Sequence, residues 1–282
     1  MMKKVGTTGN VLIFVFLIII ASVYLPYYSL LDEIRTFLTV STFLFGIIAG
    51  FIIASRLSRY SRYRELLTNE TGYLITLYQY AKLVDAKFAK KISERIDEYL
   101  VHGFLYEVYE YHGETEKQFN SIFSEIRNFN ASNSSQSGIL AQMQAMLKDM
   151  LKDREELYLL GKDRVTFWLK TTLVLLAGLI LYSLFLIRTD TTYSFILTIL
   201  LSTSVVIVLF LVSDLDKLKL YSLAMSYGIY FRVFDAIEKP RLYTNVSLER
   251  GLKLPKDFSY RFGRIKRKKG KTSYEKIELV KK

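Results

Sequence analysis

The chain has 282 residues, 51% of them apolar and 23% charged, with no cysteine, three prolines and a formal net charge of +12. The lack of thiols excludes disulfide scaffolds, thiolate zinc sites, iron–sulfur clusters and thiol catalysis together. The length suits one or two soluble domains, yet no charge occurs from Val5 to Leu31, Thr36 to Ser55, Thr171 to Ile187 or Thr191 to Ser213. At about 1.5 Å per helical residue even the shortest run covers roughly 26 Å, close to the hydrocarbon thickness of a bilayer. The expected fold class is all-α: a polytopic membrane protein with four transmembrane helices in two hairpins and a helical cytoplasmic domain.

Residues 1–55 form the first hairpin, with spans over about 10–31 and 35–55. Lys3 and Lys4 precede it, Asp32 and Glu33 occupy its turn, and Arg56, Arg59, Arg62 and Arg64 follow it. The basic flanks place both termini on the cytoplasmic side of the cell membrane. A cleaved leader over residues 1–25 is disfavoured, because Val23 to Tyr28 is bulky where a cleavage site needs small residues. Tyr24, Tyr27 and Tyr28 suit an interfacial aromatic belt instead. Four glycosylation-type sequons, at Asn69, Asn130, Asn133 and Asn245, all fall on the cytoplasmic side in this topology.

Segment 56–165 balances its acidic and basic residues and is expected to be helical. Leu66, Leu67, Tyr73, Leu74, Leu77, Tyr78 and Ala81 recur at spacings of three and four, marking an amphipathic helix. A second helix is predicted over Ala86–Tyr111 and a third over Glu114–Phe129. Asn130 to Gly138 is read as a loop, after which a long helix leads toward the third span. The second hairpin occupies 166–214, with spans over about 166–187 and 192–213. An amphipathic helix follows over 215–240, ended by Pro240, and 241–282 reads as a basic arm. That arm contains Lys266, Arg267, Lys268 and Lys269, a cluster suited to anionic lipid. Charge alone would permit nucleic acid, but no recognition motif accompanies it, and none is expected as a partner.

Catalytic signatures are absent from the sequence: no Walker loop, no Rossmann glycine pattern, no nucleophile elbow and no zinc-protease motif. No enzyme, cofactor or catalytic residue is expected. Glu107, Glu110 and His112 are close in sequence, yet on one helix Glu110 and His112 project about 200° apart and do not converge on a metal. Asp214 and Asp216, where the fourth span meets water, are a candidate cation site, although calcium takes six to eight oxygen ligands.

The second span carries more information. Phe43, Ile47 and Phe51 stack along one face at i, i+4 and i+8, and Gly46 and Gly50 form a Gly-x-x-x-Gly suited to close helix packing. Thr36 and Thr39 make its outer half polar. One reading is ordinary, with aromatics toward lipid and hydroxyls bonded to their own backbone. The other is a pore-lining helix, with Thr36 and Thr39 at the entrance and an apolar neck of Phe43, Ile47 and Phe51 that gates by dewetting. Arg35, Lys170 and Arg188 are all terminal to their spans, so no deep intramembrane charge indicates coupled transport.

Three stretches resemble a known family. Glu70, Gly72, Leu74, Leu77 and Tyr78 match a Glu-x-Gly-x-Leu-x-x-Leu-Tyr helix. Arg154 to Arg164, followed by Phe167 and Trp168, matches an Arg-rich helix leading to a tryptophan at the membrane surface, and Leu215-Asp216 matches a Leu-Asp exit. Over about residues 10–216 the chain is similar to the prokaryotic bestrophin-like integral membrane proteins. It departs from them after Asp216, where Lys217-Leu218-Lys219 stands in place of a Pro-Phe pair, and it lacks a proline before Trp168. The resemblance implies a homopentameric ion channel, mostly for anions and so for chloride, with a neck from the second span. Phe43, Ile47 and Phe51 are the first candidates for that neck, and Leu44, Ile48 and Ser55 the next. The alternative function is a non-conducting membrane scaffold that binds a protein or anionic lipid through its cytoplasmic helices and tail.

Overall fold

The computed structural model describes residues 16–18, 20, 32–106, 111–216, 224–249, 252–255, 257–268 and 271–281. Most of the first expected span, 10–31, lies outside these residues; positions 16–18 and 20 are helical. The described elements are α1 (Asp32–Val84), α2 (Ala86–Gly103), α3 (Tyr111–Glu114), α4 (Glu116–Arg127), α5 (Ser134–Lys162), α6 (Phe167–Leu186), α7 (Thr192–Asp216) and α8 (Ala224–Ala236). They continue with β1 (Leu242–Thr244), α9 (Asn245–Glu249), β2 (Tyr260–Lys268) and β3 (Lys271–Val280). Among the described residues, α1, α6 and α7 are long and apolar enough to cross a membrane. The chain is a mainly helical membrane protein.

It divides into two compact units. The first comprises Met1–Arg59 and Arg164–Leu220, the second Tyr60–Asp163 and Tyr221–Lys282. In the first unit Phe45, Ala49 and Ile52, on one face of α1, pack with Leu173, Ala177, Ile180 and Leu184 of α6, Val212 of α7 and Val165. The α6 residues recur at steps of four, three and four, so small Ala177 and larger neighbours share one stripe.

The helix containing the second span does not stop at Ser55 but runs on to Val84. Asp32 and Glu33 in its first turn face the positive end of the helix dipole, and no proline interrupts it. Leu66, Leu67, Leu74, Leu77, Tyr78 and Ala81 are buried in the second unit and Tyr73 is half-buried, so the expected apolar face is real. At Asp85 the backbone turns extended, and its carboxylate accepts the Phe88 N–H at 2.9 Å to cap α2.

Several boundaries differ from expectation. The second helix ends at Gly103 rather than Tyr111, because Tyr111 folds back over that end. A Cβ at Gly103 would lie 2.2 Å from the Tyr111 ring, a distance that only glycine permits. The loop before α5 is shorter than Asn130–Gly138. Asn133 caps the helix by accepting the Gln136 N–H at 2.8 Å, and Gln136 reaches back to the Ser132 N–H at 2.8 Å. Residues 163–166 then break the chain before α6, so α5 does not run on into the third span.

The largest difference lies after Pro240. The expected arm is a three-stranded sheet of order β1-β2-β3, β1 parallel to β2 and β2 antiparallel to β3, with a bulge at Arg264/Ile265. Gly263 and Ile265 are buried while Arg264 and Lys266 are exposed, an alternation that the run of basic residues conceals. Gly263 allows the Tyr274 ring to within 2.7 Å of where a Cβ would stand. Tyr274 donates its hydroxyl to the Val101 carbonyl at 2.7 Å, and Arg261 makes a two-pronged pair with Asp97 at 2.7 and 2.6 Å. These bonds fasten the sheet to α2.

Candidate functional site

In the first unit, one face of α1 packs and the other is bare. Phe45, Ala49 and Ile52 are at most 6% exposed, whereas Phe43, Ile47 and Phe51 are 67%, 40% and 74% exposed. At 100° per residue the two sets lie on opposite sides of the helix. Thr36, Val40, Phe43, Ile47, Gly50 and Ala54, all exposed, follow one another at steps of four and three, the spacing of a seam along a helix. In the alternative phase Leu44 and Ser55 are exposed, but Ile48 packs against the core. Thr36 and Thr39 donate their hydroxyls to the carbonyls of Asp32 and Arg35 at 3.0 and 2.9 Å, which leaves an oxygen of each with lone pairs toward the surface. A methyl group at Gly46 or Gly50 would meet nothing within 4 Å among the described residues.

Asp216 does not have the surroundings of a cation site. Its buried carboxylate accepts the Val165 N–H at 2.8 Å and meets Lys170 Nζ at 2.6 Å and Arg56 Nη1 at 3.8 Å. Its main-chain carbonyl, at the end of α7, accepts from Arg59 at 3.2 Å and from Arg164. Four cations therefore meet one residue, two at its carboxylate and two at its carbonyl, and both carboxylate oxygens are taken by protein donors. Asp214, two residues earlier, is half-buried. The geometry makes Asp216 a clamp: it ties the ends of α6 and α7 to α1, and the guanidiniums satisfy a helix-terminal carbonyl.

The second unit holds a group that the sequence reading had not singled out chemically. Glu70, on α1, and Arg154, on α5, are fully buried and meet at 3.4 Å. Glu70 Oε1 also accepts from the hydroxyls of Tyr99 and, at 3.2 Å, Tyr111; its Oε2 accepts from Tyr230 at 2.9 Å. Arg154 donates to the Tyr99 hydroxyl, to the His112 carbonyl at 3.0 Å and to Thr115 Oγ1 at 3.2 Å. The guanidinium lies over the rings of Phe119 and Tyr99, 4.6 and 5.1 Å from their centroids. Burial raises the pKa of Tyr99, Tyr111 and Tyr230 well above the usual phenol value, with Glu70 adding to it. All three therefore stay protonated and donate. Apart from Arg154 Nε, which is buried without a hydrogen-bond partner, the pair is met on its polar atoms and reads as structural. A signal was available: Glu70 falls within the apolar stripe of Leu66, Leu74 and Leu77, and Arg154 within that of Met143, Leu147, Met150 and Leu157.

His112 lies in α3 beside Tyr158, with Nε2 3.7 Å from Glu155. Burial, and then Arg154, lower its pKa. Glu107 and Glu110 lie outside the described residues. Of the basic cluster, Lys266 is exposed on β2 and paired with Glu275 at 3.2 Å; Arg267 and Lys268 continue the strand, and Lys269 lies outside the described residues. Lys276 pairs with Glu278 at 2.6 Å. The acidic residues of β3 thus offset part of the charge that the sequence assigned to a free arm.

A family model described as the Bestrophin-like domain matches residues 29–217. No curated protein matches the chain in sequence. The fold is similar to that of a solved structure described as the crystal structure of a membrane protein. The identity is 15% and the TM-score 0.57, over 84% of this chain and 99% of the other. At that identity the likeness concerns the fold alone. The matched segment contains α1 through α7, the group around Asp216, and the group around Glu70 apart from Tyr230. Membership carries a coarse class, the membrane channel. The chain belongs to the bestrophin-like family.

Proposed function

We propose that the protein is a passive, anion-conducting channel in the cell membrane, assembled as a homopentamer around α1, with both termini on the cytoplasmic side. The observation that carries this reading is the bare seam of α1 opposite its packed face. It is apolar from Val40 to Ala54 and begins with the hydroxyl of Thr36. Copied about an axis, Phe43, Ile47 and Phe51 form a dry neck, and Thr36 and Thr39 its entrance. Gly50, and Gly46 beside it, let neighbouring copies approach closely. No ionisable side chain stands on the seam, which suits downhill conduction and offers no proton or ion-pair coupling. Chloride is the expected ion, from the family's habit and the surplus of basic residues.

Current across planar bilayers tests the proposal. Phe43→Ala, Ile47→Ala and Phe51→Ala should each raise the conductance or the open fraction, because each widens and wets the neck. Unchanged current from all three, or a detergent-solubilised particle with the mass of one chain, overturns it.

A further inference from the structure

The clamp around Asp216 carries more positive than negative charge. Arg56 and Lys170 meet the carboxylate of Asp216, and Arg59 and Arg164 its main-chain carbonyl. Counting Asp214 as well, the collar keeps a surplus of two positive charges, while Lys162 and Asp163, next in the chain, cancel. The four cations are not equally hidden. Arg56 and Arg59 are largely buried, whereas Arg164 is exposed and Lys170 has a side chain 43% exposed. Between these two outer cations stand Phe167 and Trp168, 72% and 76% exposed, at the first turn of a membrane-spanning helix. Large bare aromatic rings at the end of a span belong to the layer where acyl chains meet headgroups. Cations at that depth face the phosphates of the same layer.

We propose that the outer side of this collar, Arg164 and Lys170 with Phe167 and Trp168, is a binding site for an anionic glycerophospholipid. The headgroup phosphate sits against the two cations, and the acyl chains lie along the exposed rings. Asp216 holds the back of the site. Its carboxylate holds Lys170 and its main-chain carbonyl holds Arg164, which fixes the two cations beside the exposed rings. The site is separate from the α1 seam: Phe45, Ala49 and Ile52 share their side of α1 with Arg56 and Arg59, away from Phe43 and Ile47. The proposal therefore stands or falls independently of conduction.

Trp168 is the sole tryptophan in the chain, so its fluorescence reports this locus alone. The full-length protein is placed in nanodiscs of phosphatidylcholine and phosphatidylglycerol, with bromine on the acyl chains of one lipid or the other. Bromine on phosphatidylglycerol should quench Trp168 several-fold more than bromine on phosphatidylcholine at the same mole fraction. Arg164→Gln and Lys170→Gln should each cut that enrichment roughly fivefold or to parity, while Lys170→Arg keeps it. Quenching in discs where both lipids carry bromine should be the same for every variant, which shows that each remains inserted. Equal quenching by the two lipids in the unsubstituted protein overturns the proposal, as does absence of quenching by either. Enrichment that survives the double substitution, or that inorganic phosphate abolishes, overturns it too, the latter by assigning the cations to a free anion.

Discussion

Glu70 and Arg154 are 84 residues apart in the chain, lie on different helices and are the only oppositely charged pair among the described residues in which both side chains are at most 1% exposed. Three tyrosines, a threonine and the His112 carbonyl supply its other hydrogen bonds. Its contribution to stability is asymmetric: the pair costs much to desolvate, but half of it costs more, because the survivor is a buried charge without a counter-ion.

Glu70→Ala or Arg154→Ala should each destabilise the protein by about 3–5 kcal/mol. The double change Glu70→Gln with Arg154→Met should cost less than either single. Thermal unfolding of the detergent-solubilised protein, followed through the second unit, gives the comparison. A double variant as damaged as the sum of the singles would refute the coupling.

The Tyr99 hydroxyl is the link that touches both charges. Tyr99→Phe removes it without changing the ring over which Arg154 lies, so the loss should be about 1–3 kcal/mol, the range for a buried polar group left unmet. Tyr243→Phe, at a tyrosine outside this network, is the control and should lie within about 0.5–1.5 kcal/mol, the net worth of an ordinary hydrogen bond.

Stability should depend on pH at both ends of the range. His112 has a folded pKa below its usual 6.5, because burial and then Arg154 disfavour the imidazolium. The unfolded chain therefore binds its proton first. The stabilisation is complete above about 6.5 and declines as pH falls through that value toward the folded one. His112→Gln should flatten that acid limb. At the other end, the raised phenols of Tyr99, Tyr111 and Tyr230 mean that the unfolded chain loses protons first. Their contribution is intact below about 10 and is lost as pH rises beyond it. Unfolding temperatures measured across the two limbs check both signs.

Gly103→Ala should cost about 1–3 kcal/mol, because the new methyl meets the Tyr111 ring, which is held by Glu70 and has little room to retreat. Gly113→Ala, where a Cβ meets nothing within 4 Å, is the matched control. Equal unfolding temperatures for the two variants would show that Tyr111 moves aside freely.

Much of the membrane unit is legible in the sequence because lipid imposes one strong rule: a long uncharged run must be helical. Thr171–Leu186 and Thr192–Ser213 accordingly sit inside α6 and α7. The end of α1 is not legible at Ser55, because a change from lipid to water changes the side chains and not the backbone. Leu66 to Ala81 simply carry the helix onward. The seam residues Phe43, Ile47 and Phe51 are visible as a stripe, but which stripe packs inward depends on Phe45, Ala49 and Ile52 finding Ala177 and Ile180, a long-range fact. Asp216 looks like a metal ligand when only its neighbours in sequence are counted; Arg56, Arg59 and Lys170 reach it from elsewhere. The sheet is hidden for a different reason. Its outward positions, Arg264 and Lys266, are so strongly basic that they mask the inward Gly263 and Ile265.

The docking of β2 and β3 has a practical side. Val280 is paired with Tyr260, so the ordered ladder reaches within two residues of Lys282. Shortening the polypeptide at Pro240 would not merely discard charge. It would remove the guanidinium from Asp97 and the phenol from Val101, uncovering one flank of α2. Loss of a binding partner after such a truncation would then be indistinguishable from damage to the scaffold, and neutralising single lysines is the cleaner probe.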